Sequence, residues 1–141
     1  MSIMVRHMAG LLERTKDAMN SHNAENVAAM FADDYQSFQP VHPSRGFGGS
    51  QQVAANWSAV FDGVPDFHAE LVAASVDGPV QWSEWEWRGT HTDGTPFMMR
   101  GVIILVDNNG LIAQARLYME PVELGGGDID AAVRELYKPP T

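Results

Sequence analysis

The first third of the chain carries apolar residues at helical spacing. In residues 3–20 they fall three and four positions apart, which predicts one helix with a buried stripe. The same pattern predicts a short second helix over 24–31, and a strand follows over 35–39. A third helix is predicted to begin at Ser50, a residue that can cap it, and to end near Gly63.

The hydrophobic pattern changes period after the third helix. Four stretches alternate in the manner of strands, and turn signals such as Asn-Gly and Asp-Gly separate them. Three successive hairpins would join them into a curled antiparallel meander. The helices must cover one face of this sheet, because a sheet with two apolar faces is not stable alone in water. The expected fold class is therefore α+β, with strands over 67–76, 80–91, 97–106 and 111–120.

The C-terminal tail combines a flexible segment with a helix. Three glycines at 125–127 predict a hinge, and Asp128 can cap the helix that follows. We expect residues 1–124 to form one domain, with 125–141 as the hinge and terminal helix of the same domain. That helix could close over a binding site as a lid, or it could pack on a second subunit.

Composition narrows the range of partners. The 141 residues, 45% of them hydrophobic, suffice for one core and are too few for two ordinary domains. No stretch approaches the roughly 20 apolar residues of a membrane span, and the N-terminus lacks the pattern of a secretory signal. We therefore expect a cytoplasmic protein without membrane contact. The net charge of -9 disfavours nucleic acid, whose binding depends on neutralising phosphates.

The residue types in the sequence argue against two classes of site. The chain has no cysteine, which excludes disulfides and thiolate sites. No pair of histidines has the spacing of a metal site, so no metal is expected.

Four sequence segments follow one another in a characteristic order. They are FADD before the first strand, GVPDFHAEL leading into the second, EWEWRGTHTDG closing the third and NNGLIAQARLYMEP at the last. Together they resemble the superfamily of ketosteroid isomerase, limonene epoxide hydrolase, SnoaL-like polyketide cyclases and nuclear transport factor two. The resemblance covers nearly the whole chain. It implies a cone-shaped α+β barrel, in which three N-terminal helices pack in a curled, mainly antiparallel sheet around a cup, with a short C-terminal helix.

The resemblance allows the chemistry of ketosteroid isomerase to be checked position by position. Its proton-moving carboxylate falls at Gln39, an amide that cannot act as a base near neutral pH. Its oxyanion-stabilising tyrosine falls at Thr15 and the companion aspartate at about Val102. All three roles are vacant, which argues against steroid isomerisation by that mechanism.

The pattern of limonene epoxide hydrolase is retained only in part. Of its two aspartates, which activate water and protonate the epoxide, one corresponds to Glu86 and the other to Leu117. Its intervening arginine corresponds to Glu84, which reverses the charge. One carboxylate of the pair remains, so the sequence does not support the two-carboxylate hydrolysis.

The strand that contains EWEW carries charges and aromatic rings on opposite faces. Side chains two positions apart share a face, so Glu84, Glu86 and Arg88 lie on one side. Trp85 and Trp87 lie on the other, and binary patterning alone would bury them. The register of the family instead implies that the carboxylates face the cup. We favour the family register, because the convex back of this fold commonly forms a homodimer interface and aromatic residues are enriched there.

This register divides the residues of the sheet between two surfaces. The expected homodimer face consists of Trp85, Trp87, Ile103, Leu105 and Tyr118. The expected cup wall consists of Glu84, Glu86, Arg88, Met98, Arg100, Val102, Leu117 and Met119. Other residues expected to contact a substrate are Gln39, Tyr35, Thr15, Trp57, Phe61 and His42.

The leading hypothesis is a SnoaL-like enzyme that performs acid/base chemistry, without a cofactor, on a hydrophobic polyketide-, terpenoid- or steroid-like compound. Glu86 would transfer the proton, since repulsion from Glu84 in a poorly hydrated wall favours protonation of one carboxyl. Arg88 or Arg100 would stabilise developing negative charge. The reaction could be cyclisation, isomerisation, dehydration or hydrolysis.

Two alternatives to an enzyme stay open. The first is a non-catalytic module that binds a hydrophobic ligand in the same cup. The second is a dimerisation domain whose cup is filled by side chains. The two glutamates and two arginines could then form no more than a structural network of ion pairs.

Overall fold

The computed structural model describes the backbone of residues 3–140 and the side chains of residues 10–140. Helices and short strands occupy the first half of the chain, a meander fills most of the second half, and a helix follows it. The helices are α1 (Ile3–Asn20), α2 (Ala24–Ala28), α3 (Ser50–Gly63) and α4 (Ile129–Leu136). The strands are β1 (Phe31–Phe38), β2 (Phe47–Gly48), β3 (His68–Asp77), β4 (Val80–Thr90), β5 (Pro96–Asn108) and β6 (Leu111–Pro121).

The strands form one curled sheet in the order β2-β1-β6-β5-β4-β3. β3 to β6 make the predicted antiparallel meander, and β1 runs parallel to β6. Helices α1 and α3 pack on the concave face of this sheet. The α+β cone that the sequence resemblance implies is therefore confirmed.

Local sequence explains most of the helix boundaries. The Asn23 side chain accepts hydrogen bonds from backbone N–H groups in the first turn of α2, and Asp128 caps α4 by accepting one from Ala131 at 3.0 Å. The expectation that Ser50 caps α3 is wrong. Ser50 is the first helical residue, and Gly49 holds the cap position with a φ of 93° that residues with a side chain rarely adopt.

β1 begins earlier than the sequence pattern indicates. The second helix, expected over 24–31, ends at Ala28, and Phe31 already pairs with Ile112 of β6. A parallel neighbour supplies the backbone partners of this segment, which local propensity cannot reveal. The Pro- and Gly-rich segment that follows also contributes β2, which pairs with β1.

Irregular pairing curls the sheet. The register of the β5–β6 pair shifts by one residue between Val106 and Asp107, and a second shift lies within the β3–β4 pair. Such bulges bend a strand and increase its twist. β5 and β6 approach so closely that a Cβ on Gly101 would lie 2.0 Å from the Tyr118 carbonyl oxygen. This position therefore requires glycine.

The hydrophobic core lies between the concave face of the sheet and the helices. Leu11 and Leu12 of α1 and Val53 of α3 are buried against it, and Trp85 is the largest fully buried side chain. Burial of this apolar surface is the main force that holds the helices in place.

Two further features concern helices. α4 is amphipathic, and its Ile129, Leu136 and neighbouring Tyr137 are largely exposed. Within residues 3–140, no helix is both long and apolar enough to cross a membrane.

Candidate functional site

The cup contains a cavity of about 240 Å³ between the concave face of the sheet and helices α1 and α3. Its wall is predominantly apolar, and the strands and helices contribute to it in turn. The aromatic lining residues are Phe31, Tyr35, Phe47, Trp57, Trp85 and Trp87. We call this space the cup cavity.

Aromatic rings on one side of the cup cavity form a packed cluster. The rings of Trp57 and Trp87 lie 5.4 Å apart at 72°, and each also packs edge-on against Phe67, which is buried behind them. Edge-to-face contacts of this kind are favourable and hold rings in fixed orientations. This side of the cavity is therefore preorganised rather than adaptable.

Two polar groups of the cavity wall, on Thr15 and Trp85, already have hydrogen-bond partners within the protein. Thr15 Oγ1 donates to the Leu11 carbonyl at 2.7 Å within α1. Trp85 Nε1 donates to Ser83 Oγ at 2.8 Å, and that hydroxyl donates in turn to the Ile103 carbonyl at 2.6 Å. These groups have little hydrogen-bonding capacity left for a ligand.

The indole N–H of Trp87 differs from that of Trp85. Nε1 of Trp87 is buried, and it has no hydrogen-bond partner among the residues whose side chains the structure describes. Buried polar atoms in native proteins nearly always have a partner, so this donor requires an explanation.

Tyr35 supplies a second polar group to the wall. Burial raises the pKa of its phenol to about 12, while the neighbouring Ser37 hydroxyl acts in the opposite direction. The phenol is therefore neutral at physiological pH and can donate a hydrogen bond.

The charge content of the cavity wall is low. Among the described lining residues there is no aspartate, glutamate, histidine, lysine or arginine. The amides Gln39 and Asn56 are its most polar members, and Gln39 Oε1 already accepts a bond from Arg45 at 3.3 Å. Nor does any group of three potential metal-ligating side chains occur in the part of the chain that the structure covers.

The predicted orientation of β4 is wrong. Trp85 and Trp87 line the cup cavity, and Glu84, Glu86 and Arg88 lie on the outer face of the sheet. The physical reason is that burying two indoles is favourable, whereas burying carboxylates without adequate partners is costly. Binary patterning therefore prevails over the family register.

The outer-face charges form a network of ion pairs. Glu86 accepts hydrogen bonds from Arg88 and Arg100, each at 3.1 Å, and Arg88 also donates to Glu70 at 3.1 Å. These arginines neutralise the carboxylate at the surface, as the structural alternative proposed. The catalytic role predicted for Glu84, Glu86 and Arg88 depended on a shared cup wall, and that basis is removed.

The orientation of β5 is wrong as well, for a related reason. Met98, Arg100 and Val102 lie on the outer face, because they pair with outer-face residues of β4. The expected homodimer residues Trp85, Trp87, Ile103 and Leu105 instead line the cup cavity. Tyr118 does lie on the outer face and is 37% exposed.

The remaining predicted residues divide into three groups. Thr15, Tyr35, Gln39, Trp57 and Leu117 line the cup cavity. Phe61 and Met119 belong to the surrounding core without lining the cavity. His42 lies outside the lining set, and its ring Nε2 pairs with Glu120 Oε1 at 2.5 Å.

Sequence reasoning missed several lining residues, of which Asn56 is the most informative. Val53, Asn56, Trp57 and Val60 all line the cavity from α3, at positions i, i+3, i+4 and i+7. This spacing is that of one helix face. The sequence signal that could have identified Asn56 was therefore a polar residue within an otherwise apolar stripe of the helix.

Comparison with known proteins identifies the family. A model of the SnoaL-like domain matches residues 12–115 of this chain. No curated protein matches the sequence.

Solved structures share the fold at low sequence identity. IdmH, a candidate polyketide cyclase from Streptomyces antibioticus, is 18% identical with a TM-score of 0.68, covering 78% of this chain and 89% of its own. A Mycobacterium tuberculosis protein in complex with estradiol-17beta-hemisuccinate is 19% identical with a TM-score of 0.65, covering 77% and 89%. A Catenulispora acidiphila protein with a ketosteroid isomerase-like fold, in complex with trimethylamine, is 16% identical with a TM-score of 0.67, covering 75% and 82%.

At these identities the neighbours establish the fold and not a function. The family model, in contrast, spans most of the chain and includes helices α2 and α3, the first five strands and the start of β6. The protein belongs to the family of SnoaL-like domains.

Proposed function

We propose that this SnoaL-like protein binds a small hydrophobic molecule in the cup cavity without proton-transfer chemistry. The observation that carries the proposal is an aromatic cavity whose described lining residues include no charged or imidazole side chain. Concave, mostly apolar cavities with a few polar groups are the usual form of small-molecule sites. The open volume also argues against a cup filled by its own side chains.

An acid/base enzyme would require a group that takes up or releases a proton near neutral pH. The only titratable side chain on the cavity wall is Tyr35, within the residues described, and burial raises its pKa to about 12. A phenol with such a pKa is a hydrogen-bond donor and not a general base at neutral pH. These properties favour the binding alternative over the enzyme.

Ligands of structural neighbours support the same proposal. One neighbour is in complex with estradiol-17beta-hemisuccinate and another with trimethylamine. Both are small molecules bound by proteins that share the fold. For this chain we propose a ligand that is neutral and mainly hydrocarbon, because its cavity offers rings rather than charges.

The proposal can be tested by filling the cavity. Isothermal titration calorimetry would measure binding of tetralin, a bicyclic hydrocarbon, to the wild-type protein and to Leu117→Trp. Leu117 lines the cavity, so the larger indole should weaken binding at least tenfold. Tyr118→Trp is the matched control, since it adds an indole at the next position of β6 on the opposite face.

The outcomes separate clearly. Loss of binding in Leu117→Trp with retention in Tyr118→Trp supports a ligand in the cup. Failure of the wild-type protein to bind, or equal binding by both variants, contradicts the proposal.

We also propose that the outer face of the sheet pairs with a second copy of the chain. This face exposes Trp82 to 46% and Tyr118 to 37%, and the half-buried Val102 lies beside Tyr118 on the intervening strand. Exposed aromatic patches of this kind often mark interfaces. Carboxylates and guanidiniums both flank the patch, so a twofold-related copy can oppose unlike charges.

Sedimentation equilibrium tests this pairing. The wild-type protein should sediment as a dimer, and Trp82→Glu should shift it to monomer, because the new carboxylates would be desolvated in the contact. A wild-type protein that remains monomeric at high micromolar concentration contradicts the pairing.

A further inference from the structure

Two tryptophans on adjacent cavity-facing positions of β4 differ in one respect. Trp85 and Trp87 both line the cup cavity and both are at least nine-tenths buried. The Trp85 N–H donates to Ser83, whereas no described residue accepts from the Trp87 N–H. A buried donor without an acceptor is costly, and a ligand that supplies the acceptor recovers that cost.

The volume of the cup cavity limits the size of this ligand. A protein cavity of about 150 Å³ holds one benzene molecule. The cup cavity measures about 240 Å³, which in proportion corresponds to roughly ten non-hydrogen atoms. Such a ligand has two fused rings or their equivalent, and a four-ring skeleton would not fit without enlargement of the cavity.

The charge of the wall limits its chemistry. The described lining residues provide no cation to pair with an anionic ligand, and burying an unpaired carboxylate is strongly unfavourable. An N–H donor selects an acceptor such as a carbonyl oxygen, and the neutral Tyr35 phenol is a second donor on the same wall. The polar group of the ligand is therefore a neutral acceptor.

We propose that the cup cavity selects a neutral bicyclic-sized carbonyl compound whose oxygen accepts a hydrogen bond from the Trp87 indole N–H. This inference rests on the proposed binding function and specifies its ligand class. Trp87 is then a specificity-determining residue, and Trp85 on the same face of the same strand is a structural one.

Calorimetry with a matched pair of probes tests the inference. α-Tetralone and tetralin share one carbon skeleton and differ in the carbonyl oxygen. The wild-type protein should bind α-tetralone about tenfold more tightly than tetralin, since only the ketone satisfies the buried donor.

Two variants assign this preference to one indole. Trp87→Phe keeps an aromatic ring and removes the N–H, so the ratio of the two affinities should fall to about one while tetralin still binds. Trp85→Phe removes the N–H that Ser83 already accepts and should leave the ratio unchanged.

Nuclear magnetic resonance provides a readout that needs no variant to fold. The four tryptophans give four indole N–H signals, and the Trp87 signal should move downfield with α-tetralone and not with tetralin. An unmoved Trp87 signal in the α-tetralone complex overturns the inference.

The results distinguish failure of the inference from failure of the binding function. Equal binding of both probes overturns the inference and leaves the proposed function intact. Binding of neither probe overturns both. Tighter binding of tetramethylammonium than of α-tetralone also overturns the inference, because the rings would then act as a cage for a cation.

Discussion

The two faces of β4 show how one strand serves two environments. On the concave face, Trp85 and Trp87 line a cavity and pack among other rings. On the outer face, Trp82 is 46% exposed, and Glu86 bridges two arginines in an ion-pair network. Tryptophan occurs on both faces, so residue type alone does not identify the functional face. Burial and hydrogen-bond partners distinguish the two faces.

The largest effect on stability should come from removing the buried tryptophan of the concave face. Removal of the exposed tryptophan of the outer face serves as the comparison. Trp85→Ala deletes the largest fully buried side chain and should lower the free energy of unfolding by about 3–5 kcal/mol. Trp82→Ala, on the same strand but at the surface of the single chain, should cost about 1 kcal/mol or less at a protein concentration low enough to keep the chain monomeric. Urea denaturation measures both. Equal losses would contradict the assignment of faces.

The pH dependence of stability sharpens the account of the concave face. The Tyr35 phenol ionises near pH 10 in the unfolded chain, whereas burial raises its pKa to about 12 in the folded protein. Between these values the unfolded state has lost a proton that the folded state still holds. The free energy of unfolding should therefore fall by about 2–3 kcal/mol as pH rises through this window.

Tyr35→Phe isolates this contribution. In this variant, the free energy of unfolding should not show the decrease that the Tyr35 phenol causes. Tyr118→Phe, at an exposed position, should still show it. Urea denaturation at about pH 9.5 and 11.5 compares the proteins. Parallel pH profiles for wild type and Tyr35→Phe would contradict a buried phenol.

The close approach of β5 and β6 predicts a third effect. A Cβ on Gly101 would lie 2.0 Å from the Tyr118 carbonyl oxygen, so Gly101→Ala must displace backbone and should cost about 1–3 kcal/mol. The displacement would also distort the cavity wall beside Trp85, its partner on β4. Gly63→Ala is the control, since open space surrounds that position. If Gly101→Ala were as stable as the wild-type protein, the close approach of β5 and β6 at this position would be contradicted.

The smallest effect is expected from the outer-face charges. Glu86→Gln weakens hydrogen bonds to Arg88 and Arg100 at a solvated surface, which should change the free energy of unfolding by about 1 kcal/mol or less. Affinity for α-tetralone should not change. A tenfold loss of affinity in Glu86→Gln would indicate that the functional site lies on the outer face.

Much of the fold could be predicted from sequence because local signals were strong. The hairpin turns, the glycine at the end of α3 and the Asp128 cap each act within a few residues. The start of β1 could not be predicted, because Phe31 is held in the sheet by pairing with Ile112 far along the chain.

The candidate site was harder to predict because it depends on strand register. If the pairing at the β5–β6 turn continued without change, Val102 would lie opposite Leu117, and the sequence analysis placed both on the cup wall. The shift between Val106 and Asp107 pairs Leu117 with Ile103 instead. A shift of one residue exchanges the two faces of a strand. Beyond this bulge, Leu117 and Met119 of β6 stay on the concave side, and the other six predicted wall residues, from β4 and β5, lie on the outer face.

Titration of the isotope-labelled protein with α-tetralone, followed by the four indole N–H signals, tests the central claim most directly. The account predicts that the signals of Trp57, Trp85 and Trp87 shift with one common affinity while that of Trp82 stays in place. A response confined to Trp82 and the amides of Glu84 and Glu86 would place the ligand on the outer face and contradict the account.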